Sequence, residues 1–404
     1  MFDLKNFGIT DVDLLEGKLK ETIDDVMLGD STTVICKALG NFGTGQGKQK
    51  VVYSKGDNYV LSLSTAAIMD KVTFEQQKKH IFEPTKLFKD KFNRYKGENL
   101  DNKKLLIWRT GGIGDLMFIQ PVISFLRKKY PTVNIAIGTA PNHVGVFSLW
   151  PKGLINSAFL IPFNAKLLDE YDYHLMFEGA IERCREAHSV NCYDLFQRVA
   201  GIEFPPEDFP IKVIPKRQIV QQLSGVIQPN TIAVQTRSTS ATRSLSHYKC
   251  TELFDALVSA GYKVGLLDSA SNAPLVEEFL KKFAGDFGDR VYNLATFSPS
   301  LSYCAGILSL CKGVVAVDSA INHLAAGLGI PTVGLFGPFT GDIRMRYYSN
   351  SSWIEPTVVN CPKFPCFFHG HELRECSYVS NGIHPACMDA LDLKLAVAKL
   401  VQLL

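Results

Sequence analysis

The stretch Gly313–Pro338 reads G-V-V-A-V-D-S-A-I-N-H-L-A-A-G-L-G-I-P-T-V-G-L-F-G-P. Val314–Val317 is a short apolar run of the length of a buried strand. Asp318 and Ser319 interrupt it with two residue types that cap helix N-termini. Ile321–Leu328 is small and apolar and suits a helix lying close on a sheet. Gly329 and Pro331 end that helix, and Thr332–Phe336 is a second buried strand before the turn at Gly337-Pro338. The stretch is therefore a strand–helix–strand unit. Ligands of such sheets bind beyond the carboxyl ends of the strands. The free N–H groups at Asp318, Ser319 and Ala320 offer a seat for phosphate, and the pattern by itself fits equally an ordinary core unit that binds no ligand.

The same pattern, D-S-A-x-x-H-L-A-A-x-L-G-x-P-x-V-x-L-F-G-P, resembles the signature of glycosyltransferase family nine, the lipopolysaccharide heptosyltransferases. Ala320 stands where that family usually has glycine. The resemblance extends over roughly Leu105–Asp392. It implies a GT-B α/β architecture: two Rossmann-like doubly wound domains facing a cleft. A smaller α+β accessory domain precedes them. The boundaries expected are 1–100 for the accessory domain, 101–225 for the acceptor-side domain and 226–404 for the nucleotide-sugar domain.

Outward from the signature, Thr231–Gln235 opens the donor half as a strand. The loop Thr236–Ser244 follows, where the family carries a phosphate-neutralising lysine. Arg237 and Arg243 are the candidates here, since guanidinium meets phosphate in bidentate fashion. Asp318, Ser319, Ala320, His323 and Gly337 complete the expected donor site. His323 either orients the turn or touches phosphate. In the first half, Leu105–Trp108 is a strand and Leu116–Tyr130 a helix. Between them Arg109-Thr110-Gly111-Gly112-Ile113-Gly114-Asp115 is a glycine-rich turn. It fails as a dinucleotide fingerprint because Met117 occupies the third glycine position. The resemblance implies that Gly112 and Gly114 line the site and that Asp115 is the general base. His188 is a further candidate for contact with the acceptor, or a structural histidine.

The N-terminal block is expected to hold a helix over Asp11–Leu28 and strands over Thr32–Leu39 and Lys50–Leu63, the latter folded at Lys55–Asn58. Gly43–Lys48 is not a Walker loop, because Gln49 stands in place of Ser or Thr. Lys78–Lys104 is basic with interleaved aromatics. It reads as an amphipathic helix with a solvated basic face, or as a contact for an anionic acceptor or surface.

The 404 residues suffice for two or three cores, and the formal charge of +3 demands no polyanionic partner. Ten scattered cysteines suit a reducing compartment. No signal pattern or membrane span is read, so a cytoplasmic protein is expected. Cys361, Cys366, Cys376 and Cys387 read as reduced thiols or as a zinc site. No D-x-D motif is present, so neither catalytic metal nor cofactor is expected and the nucleotide-sugar is a substrate. The activity implied is inverting, metal-independent transfer of a sugar to a lipopolysaccharide-type saccharide. Two alternatives stand beside it: transfer to a hydroxymethylated DNA base, and a non-catalytic nucleotide-sugar binder.

Overall fold

A computed structural model describes residues 33–44, 51–62, 82–85, 92–181, 184–282, 287–357 and 384–404, with a few positions between these stretches. The helix expected over Asp11–Leu28 and most of the Gly43–Lys48 loop lie outside the described residues. By contact the chain falls into two units. The first holds residues 1–147, 152–187 and 192–209; the second holds 148–151, 188–191 and 210–404.

The first unit is built on a four-stranded parallel sheet. Its strands are β1 (Lys104–Trp108), β2 (Asn134–Thr139), β3 (Ser157–Leu160) and β4 (Tyr173–Met176), in the order β4-β1-β2-β3. Leu105–Trp108 are all buried, as the unbroken apolar run requires of a strand covered on both faces. Helix α1 (Ile113–Lys129) follows β1 and ends in Arg127, Lys128 and Lys129, cations that complement its C-terminal dipole.

The accessory block does not stand apart. Thr33–Ala38, Asn58–Ser62 and Phe82–Thr85 form an antiparallel sheet whose fourth strand is Phe163–Asn164, from beyond β3. Ile35 and Val60 share one apolar core with Leu106, Trp108 and Phe163. One face of this sheet thus packs on the parallel sheet, while Cys36, Tyr59, Leu61 and Phe82 on the other form a separate apolar cluster with Val51 and Tyr53. Two local expectations change with this. Phe82–Thr85, inside the stretch read as a basic helix, is a strand that pairs with Thr33–Ala38. The residues either side of Lys55–Asn58 do not pair as a hairpin: Val51–Tyr53 joins Phe42–Thr44, while Asn58–Ser62 joins Thr33–Ala38.

The second unit carries six parallel strands: β5 (Thr231–Gln235), β6 (Lys263–Leu266), β7 (Val291–Asn293), β8 (Gly313–Val317), β9 (Thr332–Leu335) and β10 (Ser351–Ile354). Their order is β7-β6-β5-β8-β9-β10. Counted within the unit this is 3-2-1-4-5-6, the doubly wound order that reverses direction between β5 and β8. Helix α2 (His247–Ser259), helix α3 (Ala320–Gly327) and helix α4 (Leu393–Leu403) cover the sheet. All five residues of β8 are buried. The chain passes into this unit at Pro210, ahead of the boundary read near residue 225, because Val213 donates a backbone bond to Gly327 and Ile214 one to Leu149.

Candidate functional site

Each parallel sheet has one point where the winding reverses, and a cluster of polar side chains sits at both. In the first unit the point lies between β1 and β4. Arg109, at the end of β1, is 1% exposed. Its Nη1 donates to the Phe177 carbonyl at 2.7 Å and its Nη2 to Asp115 Oδ2 at 2.7 Å. Glu178, just past β4, accepts from the Thr110 backbone N–H and from Thr110 Oγ1. Two buried charges thus tie the glycine turn to the neighbouring strand. Gly111 is required by the same packing, since a Cβ there would stand 2.6 Å from Arg109 Nε. Gly112 precedes α1 as its N-cap, and Gly114 and Asp115 are in the first turn. The Asp115 side chain is 15% exposed, so the carboxylate is the charged group this cluster presents.

In the second unit the reversal lies between β5 and β8. Ser319 caps α3, its Oγ accepting from the Ile321 N–H at 3.3 Å and donating to Gln235 Oε1 at the end of β5. Arg243 Nη1 pairs with Asp318 Oδ2. Arg243 is therefore not an uncommitted phosphate ligand, as its loop position suggested, but shares its guanidinium with a buried acid of the signature. Arg237 is exposed. His323 is 3% exposed and its Nδ1 lies 3.1 Å from Tyr348 Oη. That contact suits a residue that fixes the turn rather than one that reaches phosphate. Gly337 leaves room for Met388, whose sulfur would meet a Cβ at that position. Ala320 opens α3 and is partly exposed.

Arg109, Glu178 and Asn322 were not singled out in the sequence. Asn322 is fully buried, and its Nδ2 donates to the Val317 carbonyl at 3.0 Å, clamping α3 to the end of β8. The signal for it was present: an amide beside His323 in a helix whose other residues are apolar or glycine. Arg109 was similarly marked as a charge adjoining an apolar strand. Glu178 had no local signal. His188 is exposed at the end of a short 3-10 turn. Asp342, beside the signature, pairs with Arg346, and its carbonyl accepts from Asn191 Nδ2.

The cysteines are all reduced. Burial, then the neighbouring thiols of Cys366 and Cys376, push the Cys387 thiol up to about 12. Among the described residues no three His, Cys, Asp or Glu side chains are gathered to hold a metal ion. No helix among them is long and apolar enough to cross a membrane.

Two α/β units with parallel sheets place the chain in the GT-B class of folds. In agreement, the structure of E. coli ADP-heptose LPS heptosyltransferase II superposes with a TM-score of 0.56 at 16% identity, over 74% of this chain and 98% of that one. A family 9 glycosyltransferase from Veillonella parvula does so with the same score at 13% identity, over 76% and 98%. The iron-containing dodecameric glycosyltransferase TibC from enterotoxigenic E. coli gives 0.51 at 13% identity, over 87% of each chain.

Residues 178–368 match the family model "Glycosyltransferase family 9 (heptosyltransferase)", which bears out the resemblance read from the signature. The match takes in Glu178 and the whole second-unit cluster and stops short of Asp115. Lipooligosaccharide heptosyltransferase 2 of Haemophilus influenzae is 32% identical over 92 residues, 23% of this chain and 26% of that protein. Lipopolysaccharide heptosyltransferase 2 of Salmonella typhimurium is 33% identical over 96 residues, 24% and 27%. The aligned segment thus spans about a quarter of the length of these curated relatives.

Proposed function

We propose that the chain is an inverting glycosyltransferase that moves a sugar from a nucleotide-sugar to a hydroxyl of a lipopolysaccharide-type saccharide. In this reading the acceptor oxygen attacks the anomeric carbon and its proton passes to the Asp115 carboxylate. The bond from that carbon to the leaving phosphate oxygen breaks at the same time. The departing nucleoside diphosphate takes up the electron pair. Its charge is met by Arg243, Arg237 and the N–H groups opening α3.

The observation that carries the reading is the opposite polarity of the two clusters. In the first unit the arginine is buried and the acid is presented; in the second the arginine is the more exposed partner, at 12% against 6% for Asp318. One cluster suits proton removal and the other suits a phosphate. The names of the relatives make ADP-heptose the first donor to try. The modified-DNA acceptor gains no support from these matches.

Metal independence belongs to the proposal as well. TibC is named as iron-containing. The thiols of Cys366, Cys376 and Cys387 are soft donors of the kind iron accepts, yet no ligand set is assembled among the described residues. No step is routed through a metal.

The test is nucleotide release from ADP-, UDP- and GDP-sugars offered with a core saccharide or with hydroxymethylated DNA, repeated after chelation. Turnover on the saccharide that survives chelation and is lost in Asp115→Ala is the expected result. Turnover on DNA alone, or nucleotide binding without any release, would reject it.

A further inference from the structure

The glycine turn that carries Asp115 is gripped by the residues just past β4. Phe177, Glu178, Gly179 and Ala180 make a tight turn there, in which the Ala180 N–H donates to the Phe177 carbonyl at 3.3 Å. Gly179 takes its third position at φ 74°, a conformation that glycine reaches at no steric cost. The Phe177 carbonyl also accepts from Arg109 Nη1 at 2.7 Å. The Glu178 carboxylate accepts from both donors of Thr110, its backbone N–H and, at 2.9 Å, its hydroxyl. Two acceptor oxygens on one side chain thus meet two donors on one residue. With both oxygens engaged and the residue 8% exposed, Glu178 differs from Asp115, whose side chain is 15% exposed. Arg109 links the two ends of the arrangement, because its Nη2 donates to Asp115 Oδ2 at 2.7 Å. A shift of the turn after β4 therefore carries Arg109 and Thr110 with it, and Asp115 follows.

We propose that Glu178 is a positioning residue: by holding Thr110 through both of its oxygens it sets where the glycine turn places Asp115. The inference rests on reading Asp115 as the base. A displaced base costs rate more than donor affinity, because the residues read as meeting the nucleotide belong to the second unit.

Variants of the full-length protein test this, read by kcat and donor KM in the nucleotide-release assay. Glu178→Ala should lower kcat about 10- to 100-fold with donor KM little changed, since a displacement of about 1 Å at a reacting group can cost that much. Glu178→Gln keeps an acceptor oxygen for the Thr110 N–H and an amide that can donate to its hydroxyl, so it should recover most of kcat. Glu178→Asp keeps the charge but withdraws it by one methylene, so it should stay slow. Recovery by Gln and not by Asp is a pattern that neither a proton acceptor nor a bare charge would give. The reverse order, or Gln as slow as Ala, overturns the proposal. Thr110→Val removes the hydroxyl alone. Combined with Glu178→Ala it should add little to the loss, because both substitutions remove one contact. Additive losses overturn the proposal as well. If Glu178→Ala turns over like the wild type while Asp115→Ala is inactive, Glu178 has no such role and the base assignment stands. If Asp115→Ala still turns over, the base assignment falls and this inference falls with it. Should Glu178→Ala fail to fold by circular dichroism, the order of Glu178→Gln and Glu178→Asp decides.

Discussion

The two winding reversals are built from the same pair of residue types and arranged in opposite ways. Arg109 lies under the first sheet's turn and holds up Asp115. Asp318 lies under the second sheet's turn and holds up Arg243. In each pair one ion is a support and the other is presented. A charge can be kept at the edge of an apolar core only when its partner accompanies it. Which of the two faces outward then fixes what chemistry the edge can do. An exposed carboxylate can take a proton, and an exposed guanidinium can hold a phosphate.

The most severe way to break this contrast is to remove the presented acid. Asp115→Ala should lower kcat about 10²- to 10⁴-fold while leaving nucleotide affinity, read by calorimetry, nearly unchanged. Arg243→Ala should do the converse and weaken nucleotide binding. It should also destabilise the protein by about 3 kcal/mol in denaturant unfolding, because the buried Asp318 loses the guanidinium that offsets its charge. The double variant Arg243→Met, Asp318→Leu separates the two effects. It should regain most of the stability and none of the nucleotide affinity.

Gly337→Ala probes the packing beneath the second cluster. The new methyl meets the Met388 sulfur, so a loss of about 1–3 kcal/mol is expected, partly restored by Met388→Ala. A milder perturbation is alkaline pH. Burial pushes the thiols of Cys250, Cys304 and Cys311 up to about 12, against 9 for an unburied thiol. Below pH 9 these thiols are protonated whether the chain is folded or not, and stability is unaffected. From pH 9 towards 12 the unfolded chain loses the protons first, so stability falls. The denaturant midpoint of the second unit, which holds all three, should drop over that window. The smallest effect is expected from Ala320→Gly, which restores the residue usual in the family. It should destabilise by about 1 kcal/mol or less and alter nucleotide affinity little, because the Ser319 cap and the Arg243 pair remain.

Much of the second unit was readable in the sequence because its signals are local. The apolar run Val314–Val317, the cap at Ser319 and the stops at Gly329 and Pro331 each act within a few residues, and each element formed where they indicate. The pairing of Arg243 with Asp318 was not readable. It joins residues 75 positions apart, and nothing near Arg243 announces that its charge is already matched. Glu178 was hidden for the same reason, since its partner Thr110 is 68 positions away. The N-terminal strands misled in another way. The strand read over Thr32–Leu39 formed at Thr33–Ala38, but the strands it joins were not legible, because partner choice depends on which faces remain to be buried.

That last feature bears on how the chain comes into being. The sheet of Thr33–Ala38, Asn58–Ser62 and Phe82–Thr85 takes its fourth strand from Phe163–Asn164 and shares its apolar core with Trp108 and Met176. During synthesis these early strands therefore leave the ribosome well before the segments that cover them. Until Met176 has emerged, the edge that Phe163–Asn164 fills is open and the face bearing Ile35 and Val60 is uncovered, the condition under which nascent chains recruit chaperones or pair with one another. A release of this protein from arrested ribosomes should thus become productive only when the tether begins beyond β4.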